Sequence, residues 1–253
     1  MKRQLELLTG EWDVLIVLDA CRYDVFAEVY RGARPVRSPA NCTPTWVRKA
    51  LPLMTWKIRA YYCANPVVGR ELQKMGLLGF PLVPLWEKLW QEHTPEKVPS
   101  VSPLAVAGYV IGQRAEPPFV VHLLQPHSPY IGHVPLKVAR WGKGRPQITL
   151  RCSRLPNPEK LVRDGKLTWD EVRRAYRANI ELAMEAVRII AGNYGGRKIV
   201  VTSDHGELLG EGERFGHEAR WKDRELFIVP WYEMGAVAEQ PPMMEKLAAL
   251  GYV

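Results

Sequence analysis

Apolar residues along this chain fall into two alternating patterns. Trp12–Asp19 (W-D-V-L-I-V-L-D) is a run of leucine and β-branched residues that ends in an acid. Lys57–Cys63, Phe119–Leu124, Lys198–Ser203 and Leu226–Tyr232 are similar short apolar runs. Runs of this length and composition predict buried strands. Between them the period changes. Tyr23–Arg31 and Leu104–Gln113 have helical spacing, and Met243–Leu250 predicts a final helix. Thr168 with Glu171 three residues on forms a capping box. It opens a long amphipathic helix over about Trp169–Ala191, with Val172, Ala175, Tyr176, Ile180, Ala183, Val187 and Ile190 on one side, and Gly192 to Gly196 stop it. From Gly76 to Pro103, proline and tryptophan punctuate the chain and predict loops and short helices.

Strands alternating with helices predict an α/β domain with a mainly parallel central sheet covered by helices on both faces. The 253 residues suffice for one such domain. Ligands of such sheets bind beyond the carboxyl ends of the strands. Three predicted strands lead there to polar residues: Asp19, His127, and the pair Asp204-His205.

Composition adds bounds. Hydrophobic residues at 47% and charged residues at 25% fit a globular protein and exclude a disordered one. No apolar run approaches the roughly 18 residues of a membrane span. The N-terminus lacks the apolar core of a signal peptide, so the expectation is a cytoplasmic protein. Four scattered cysteines, Cys21, Cys42, Cys63 and Cys152, form neither a disulfide framework nor a zinc-ribbon spacing. The net charge of +8 is concentrated between Lys137 and Arg177, overlapping a basic irregular excursion at about 132–168. A basic face favours an anionic partner. An anionic ester substrate is the reading preferred over a nucleic acid.

The sharpest segment is Val200–His217, V-V-T-S-D-H-G-E-L-L-G-E-G-E-R-F-G-H. A strand delivers Asp204 and His205 side by side, one oxygen and one nitrogen donor for a divalent metal, and Gly206 turns the chain at once. Together with the later I-V-P-W, this segment resembles the C-terminal metal motif of the sulfatase and alkaline phosphatase superfamily. The resemblance extends to three further segments in the family's order. V-L-I-V-L-D places Asp19 at the end of the first strand. S-P-A-N-C-T-P-T-W lies where the nucleophile is expected, and Q-P-H-S-P-Y supplies His127.

What the resemblance implies is an alkaline-phosphatase-like fold and a metal-dependent hydrolase or transferase of phosphate mono- or diesters. Asp19, Asp204, His205 and the nucleophile would hold one divalent cation (Mn, Zn, Mg or Ca, identity open). Pro44 suits the first turn of a helix with Thr43 as its N-cap, which sets Cys42 or Thr43 where backbone N–H groups favour an anion. Superfamily phosphotransferases use Ser or Thr there, and Thr43 is preferred. Sulfatases use Cys-x-Pro-x-Arg with the cysteine oxidised to formylglycine. This chain keeps Cys42 and Pro44 but has Trp46 at the arginine position, and a sulfatase is the first alternative. The second is a non-catalytic relative that binds an anionic polymer. His127 would contact substrate or protonate the leaving group. His217 resembles the family's third histidine, for a second metal or a substrate oxygen, and Lys222 and Arg22 are candidates for ester oxygens. His122 reads as a core histidine; Glu207, Glu211 and Glu213 read as surface or supporting groups.

Overall fold

The computed structural model describes residues 1–77, 79–93, 97–139 and 155–234. The helix expected over Met243–Leu250, and residues 140–154 of the basic excursion, lie outside them.

The strands are β1 (Val14–Asp19), β2 (Arg34–Arg37), β3 (Ala60–Cys63), β4 (Leu82–Pro84), β5 (Trp90–His93), β6 (Val98–Val101), β7 (Phe119–Pro126), β8 (Ile199–Ser203), β9 (Leu208–Leu209), β10 (Phe215–Gly216) and β11 (Ile228–Met234). The helices are α1 (Gln4–Leu8), α2 (Tyr23–Val29), α3 (Thr43–Ala50), α4 (Pro66–Lys74), α5 (Leu85–Lys88), α6 (Pro103–Gly112), α7 (Pro158–Arg163) and α8 (Trp169–Asn193). Seven strands make one sheet in the order β2-β11-β8-β1-β7-β3-β4, and β5 pairs with β6 and β9 with β10 as separate antiparallel ribbons. Within the large sheet β11 alone runs against its neighbours. The sheet is therefore mainly parallel, as the alternation of strands and helices predicts.

The apolar runs are buried because each is covered on both faces. Every residue of β1, β7 and β8 is buried. The capping box at Thr168 forms as expected, with Glu171 N–H donating to the Thr168 hydroxyl and Thr168 N–H donating to the Glu171 carboxylate. Val172, Tyr176, Ile180, Ala183, Val187 and Ile190 of α8 are all fully buried. Helix α8 packs against β7, with α6 beside it. Pattern reading passes over β2 and β4, which are three or four residues long, and over the β5–β6 ribbon. No described helix is long and apolar enough to cross a membrane.

Candidate metal centre

The carboxyl ends of β1 and β8 lie side by side, with Leu18 opposite Ser203. The Ser203 hydroxyl ties them together: it donates to the Leu18 carbonyl at 2.6 Å and accepts from Cys21 N–H at 2.7 Å. Asp19 and Asp204 thus emerge as neighbours. Gly206 then turns the chain. A Cβ there would stand 1.9 Å from the Glu225 carbonyl oxygen, so only glycine fits this backbone approach. Ser38 adds a third support by donating its hydroxyl to the Asp204 carbonyl at 2.5 Å.

Helix α3 brings the third part. Cys42 is its N-cap, in an extended conformation, and its carbonyl accepts the first helical bond from Trp46 N–H. Thr43 is the first helical residue, which corrects its expected place as the cap. Its hydroxyl is engaged elsewhere: it donates to Asp204 Oδ2 at 2.8 Å and lies 3.2 Å from His205 Nε2. The Cys42 thiol is bonded instead to the Thr45 hydroxyl at 3.3 Å.

Asp19, Asp204 and His205 offer three donor atoms within 4.8 Å of one another, all buried. His205 Nε2 is 3.5 Å from Asp19 Oδ1 and 3.4 Å from Asp204 Oδ2. The Gly206 carbonyl, which can only accept, lies 2.8 Å from His205 Nδ1. That assigns the proton to Nδ1 and turns the Nε2 lone pair toward the carboxylates. Among the described residues no lysine or arginine pairs with either acid, and Asp19 Oδ1 is buried with no hydrogen-bond partner. Burial, then the charges of Asp204 and Glu207, push the Asp19 carboxyl well above the ordinary range. Burial pushes Asp204 the same way, but the imidazoles of His205 and His122 and the Ala20 and Thr43 donors bring it below its ordinary value. Burial lowers His205 to about 4. Two buried carboxylates facing a neutral imidazole are costly without a counter-charge. Two carboxylates, one imidazole and one hydroxyl form a donor set that suits a divalent cation, so the residues fit the group.

A second cluster adjoins the first. His127, Glu207 and His217 also bring donor atoms within 4.8 Å of one another. His217 Nδ1 is 2.8 Å from Glu207 Oε1, and the His217 ring lies 4.1 Å from that of His205 and 5.3 Å from that of His127. His127 Nδ1 faces its neighbour's carbonyl on Ser128, and burial lowers its pKa.

The structure therefore brings together Asp19, Thr43, Asp204 and His205, with His127 and His217 beside them. Arg22 and Lys222 are placed differently, and Arg22 touches the second cluster through the Glu207 carbonyl, 3.4 Å from its guanidinium. The Arg22 guanidinium is spent on Asp24 and Glu211, at 2.9 Å and 2.6 Å, which leaves it bracing the loop after β1. Lys222 is exposed and makes no hydrogen bond or ion pair among the described residues. Three site residues escape pattern reading. Glu207 is fully buried beside His217, although it looks like one of several surface acids. Asn65 caps α4 by accepting from Val67 N–H, which turns its amide N–H to Asp19 Oδ2 at 2.7 Å and Thr43 Oγ1 at 3.4 Å. The signal for it was Asn65-Pro66, a helix start after a strand. His122 is a core residue as read, but it also approaches Asp204 Oδ2 at 3.9 Å, with Tyr61 on its other nitrogen at 2.8 Å.

No family model matches this chain, and no curated protein matches it in sequence. Its fold does match solved structures. The soluble domain of lipooligosaccharide phosphoethanolamine transferase A from Neisseria meningitidis superposes with a TM-score of 0.56 at 13% identity, covering 92% of this chain and 77% of that one. The C-terminal periplasmic domain of phosphoethanolamine transferase EptC from Campylobacter jejuni gives 0.52 at 14% identity, covering 94% and 81%. The integral membrane form of the Neisseria protein gives 0.53 at 16% identity, and this chain spans about half of its length, 47%. This chain shares the α/β fold of these phosphoethanolamine transferase domains, with the mainly parallel central sheet that the resemblance implied.

Proposed function

We propose that this chain is a metal-dependent enzyme of phosphate esters in which Thr43 is the nucleophile. The single observation that carries the reading is the position of the Thr43 hydroxyl. It lies in contact with Asp204 and His205 at the end of a helix whose N-terminus favours an anion, while the neighbouring thiol turns to Thr45.

A divalent cation held by Asp19, Asp204, His205 and Thr43 would lower the pKa of the hydroxyl and neutralise charge on the ester oxygens. The rest is done by the chain. Asp204 Oδ2 accepts the hydrogen bond of the hydroxyl and holds it in place. The Asn65 amide N–H lies 3.4 Å from that oxygen, where it supports the anionic form during attack. The Thr43 proton passes to Asp204 Oδ2, the bond from Thr43 Oγ1 to phosphorus forms, and the bond to the leaving oxygen breaks in line with it. His217, its Nδ1 held by Glu207 Oε1 at 2.8 Å, is the candidate to give the leaving oxygen its proton, and His127, whose charged form burial disfavours, contacts the substrate beside it. Water or an acceptor alcohol then takes the phosphoryl group from Thr43. The fold neighbours named as transferases support a phosphoryl-type donor, and the basic composition supports an anionic one.

The test is turnover of aryl phosphates, phosphodiesters and aryl sulfates with Mn²⁺, Zn²⁺, Mg²⁺ or Ca²⁺. The expected result is phosphate-ester cleavage that Thr43→Ala abolishes and Cys42→Ala spares. Sulfate cleavage lost in Cys42→Ala, with an aldehyde at position 42 by mass spectrometry, would overturn it.

A further inference from the structure

A pocket lies at the β2 edge of the sheet, lined in part by residues of β2 and of the loop that follows it. Arg3 and Arg37 are partners in an isolated parallel bridge, and both side chains line one cavity. Like charges placed opposite one another on a sheet destabilise it. Among the described residues neither arginine has a carboxylate partner. Arg37 instead lies over the Phe227 ring, 5.2 Å from its centroid. Both arginines line a cavity of about 310 Å³, whose remaining walls are Leu5, Ser38, Pro39 and Phe227. Lys49 adds a third cation at its rim by donating to the Pro39 carbonyl at 2.9 Å.

Two cations without an anion, over a mostly apolar cavity of small-ligand size, define what would fit. We propose that this pocket binds an amphiphilic anion: a phosphate or carboxylate group between Arg3 and Arg37, with the apolar body against Leu5, Pro39 and Phe227. A guanidinium pair matches the oxyanion geometry, and the ligand relieves the repulsion between the two arginines. The pocket is also wired to the metal centre. Ser38 lines it and holds the Asp204 carbonyl, and Ser38 N–H donates to the Phe227 carbonyl at 2.8 Å. The anion can come from a lipid headgroup or from a free soluble molecule; the chemistry is shared. The proposal does not depend on Thr43 chemistry.

The experiment is calorimetric titration of the full chain, without added metal, with hexyl phosphate and with inorganic phosphate, beside a thermal melt. Asp204→Asn serves as the background, so that the metal centre contributes nothing. Hexyl phosphate binds at least about tenfold more tightly than inorganic phosphate, and Arg3→Gln/Arg37→Gln loses about tenfold or more of that affinity. The ligand raises the melting temperature of the parent but not of the double variant, and without ligand the double variant melts no lower than the parent. Sedimentation with phosphatidylglycerol vesicles then separates the sources. Binding that the double variant loses identifies a lipid headgroup, and titration without vesicle binding identifies a soluble ligand. Equal affinity of the double variant and its parent for hexyl phosphate overturns the proposal, as does the absence of hexyl phosphate binding by the parent.

Discussion

The two histidine-carboxylate clusters lie within touching distance yet differ in kind. Asp19, Asp204 and His205 are closed off from water, with Asp204 and His205 at 0% exposure. Two are tied to backbone, Asp204 accepting from Ala20 and His205 N–H and His205 bonding the Gly206 carbonyl, while Asp19 is held by the Asn65 amide. The second cluster is open at one member, since the His217 side chain is 18% exposed while Glu207 is buried. A closed, rigid set of donors facing an uncompensated charge suits a resident cation. A set with one door to solvent suits groups that arrive and leave. Either cluster has donors for a metal; on the proposed function the first holds it and the second handles substrate.

Five substitutions test that division. The largest effect is expected at the first cluster. Thr43→Ala lowers turnover by on the order of 10⁵-fold, the scale seen when a covalent nucleophile is removed, yet it leaves a metal-binding isotherm measurable by calorimetry. Asp204→Asn removes the isotherm as well. Next comes the open cluster: His217→Asn or His127→Asn slows steady-state turnover by about 10²–10⁴-fold while metal affinity stays near that of the parent. Loss of the isotherm in His217→Asn would merge the two clusters into one shared site. Asn65→Ala is smaller, with metal affinity weakened by roughly 10–100-fold, because its amide orients Asp19.

The smallest and most specific effect concerns His122. Burial lowers its pKa to about 4, so the folded protein resists a proton that the unfolded chain accepts near 6.5. Its contribution is therefore full above about pH 6.5 and is lost as pH falls toward 4, by on the order of 3 kcal/mol at most. In urea melts of the metal-stripped protein between pH 7 and 4, His122→Asn flattens the loss of stability with acid. An unchanged slope would mean that His122 titrates as an exposed histidine does. The buried Asp19, whose pKa is raised, acts in the opposite sense and is common to both proteins, so the difference between them isolates His122.

Much of this was legible in the residues. Unbroken apolar runs mark β1, β7 and β8 because those strands are covered on both faces, and the polar residues at their ends mark the site. Asp204-His205-Gly206 was readable for a physical reason: two donors and a turn too tight for a side chain. The β2 and β4 strands were not, since three or four residues carry no period, and β2 is held by pairing with β11 rather than by its own burial. Glu207 and His122 escaped because their roles depend on which distant chain packs beside them. The preference for Thr43 over Cys42 rested on the resemblance alone, since both suit a helix start; the fold adds that the Thr43 hydroxyl meets Asp204 while the Cys42 thiol meets Thr45.

The most direct test of the account is an anomalous-difference map from a crystal soaked in Mn²⁺ or Zn²⁺. The account predicts a peak bounded by Asp19, Asp204 Oδ2, His205 Nε2 and Thr43 Oγ1, at about 2.0–2.2 Å from the ligand atoms for zinc. A peak held only by His127, Glu207 and His217, or one that draws in Cys42 Sγ in place of Thr43, would contradict it.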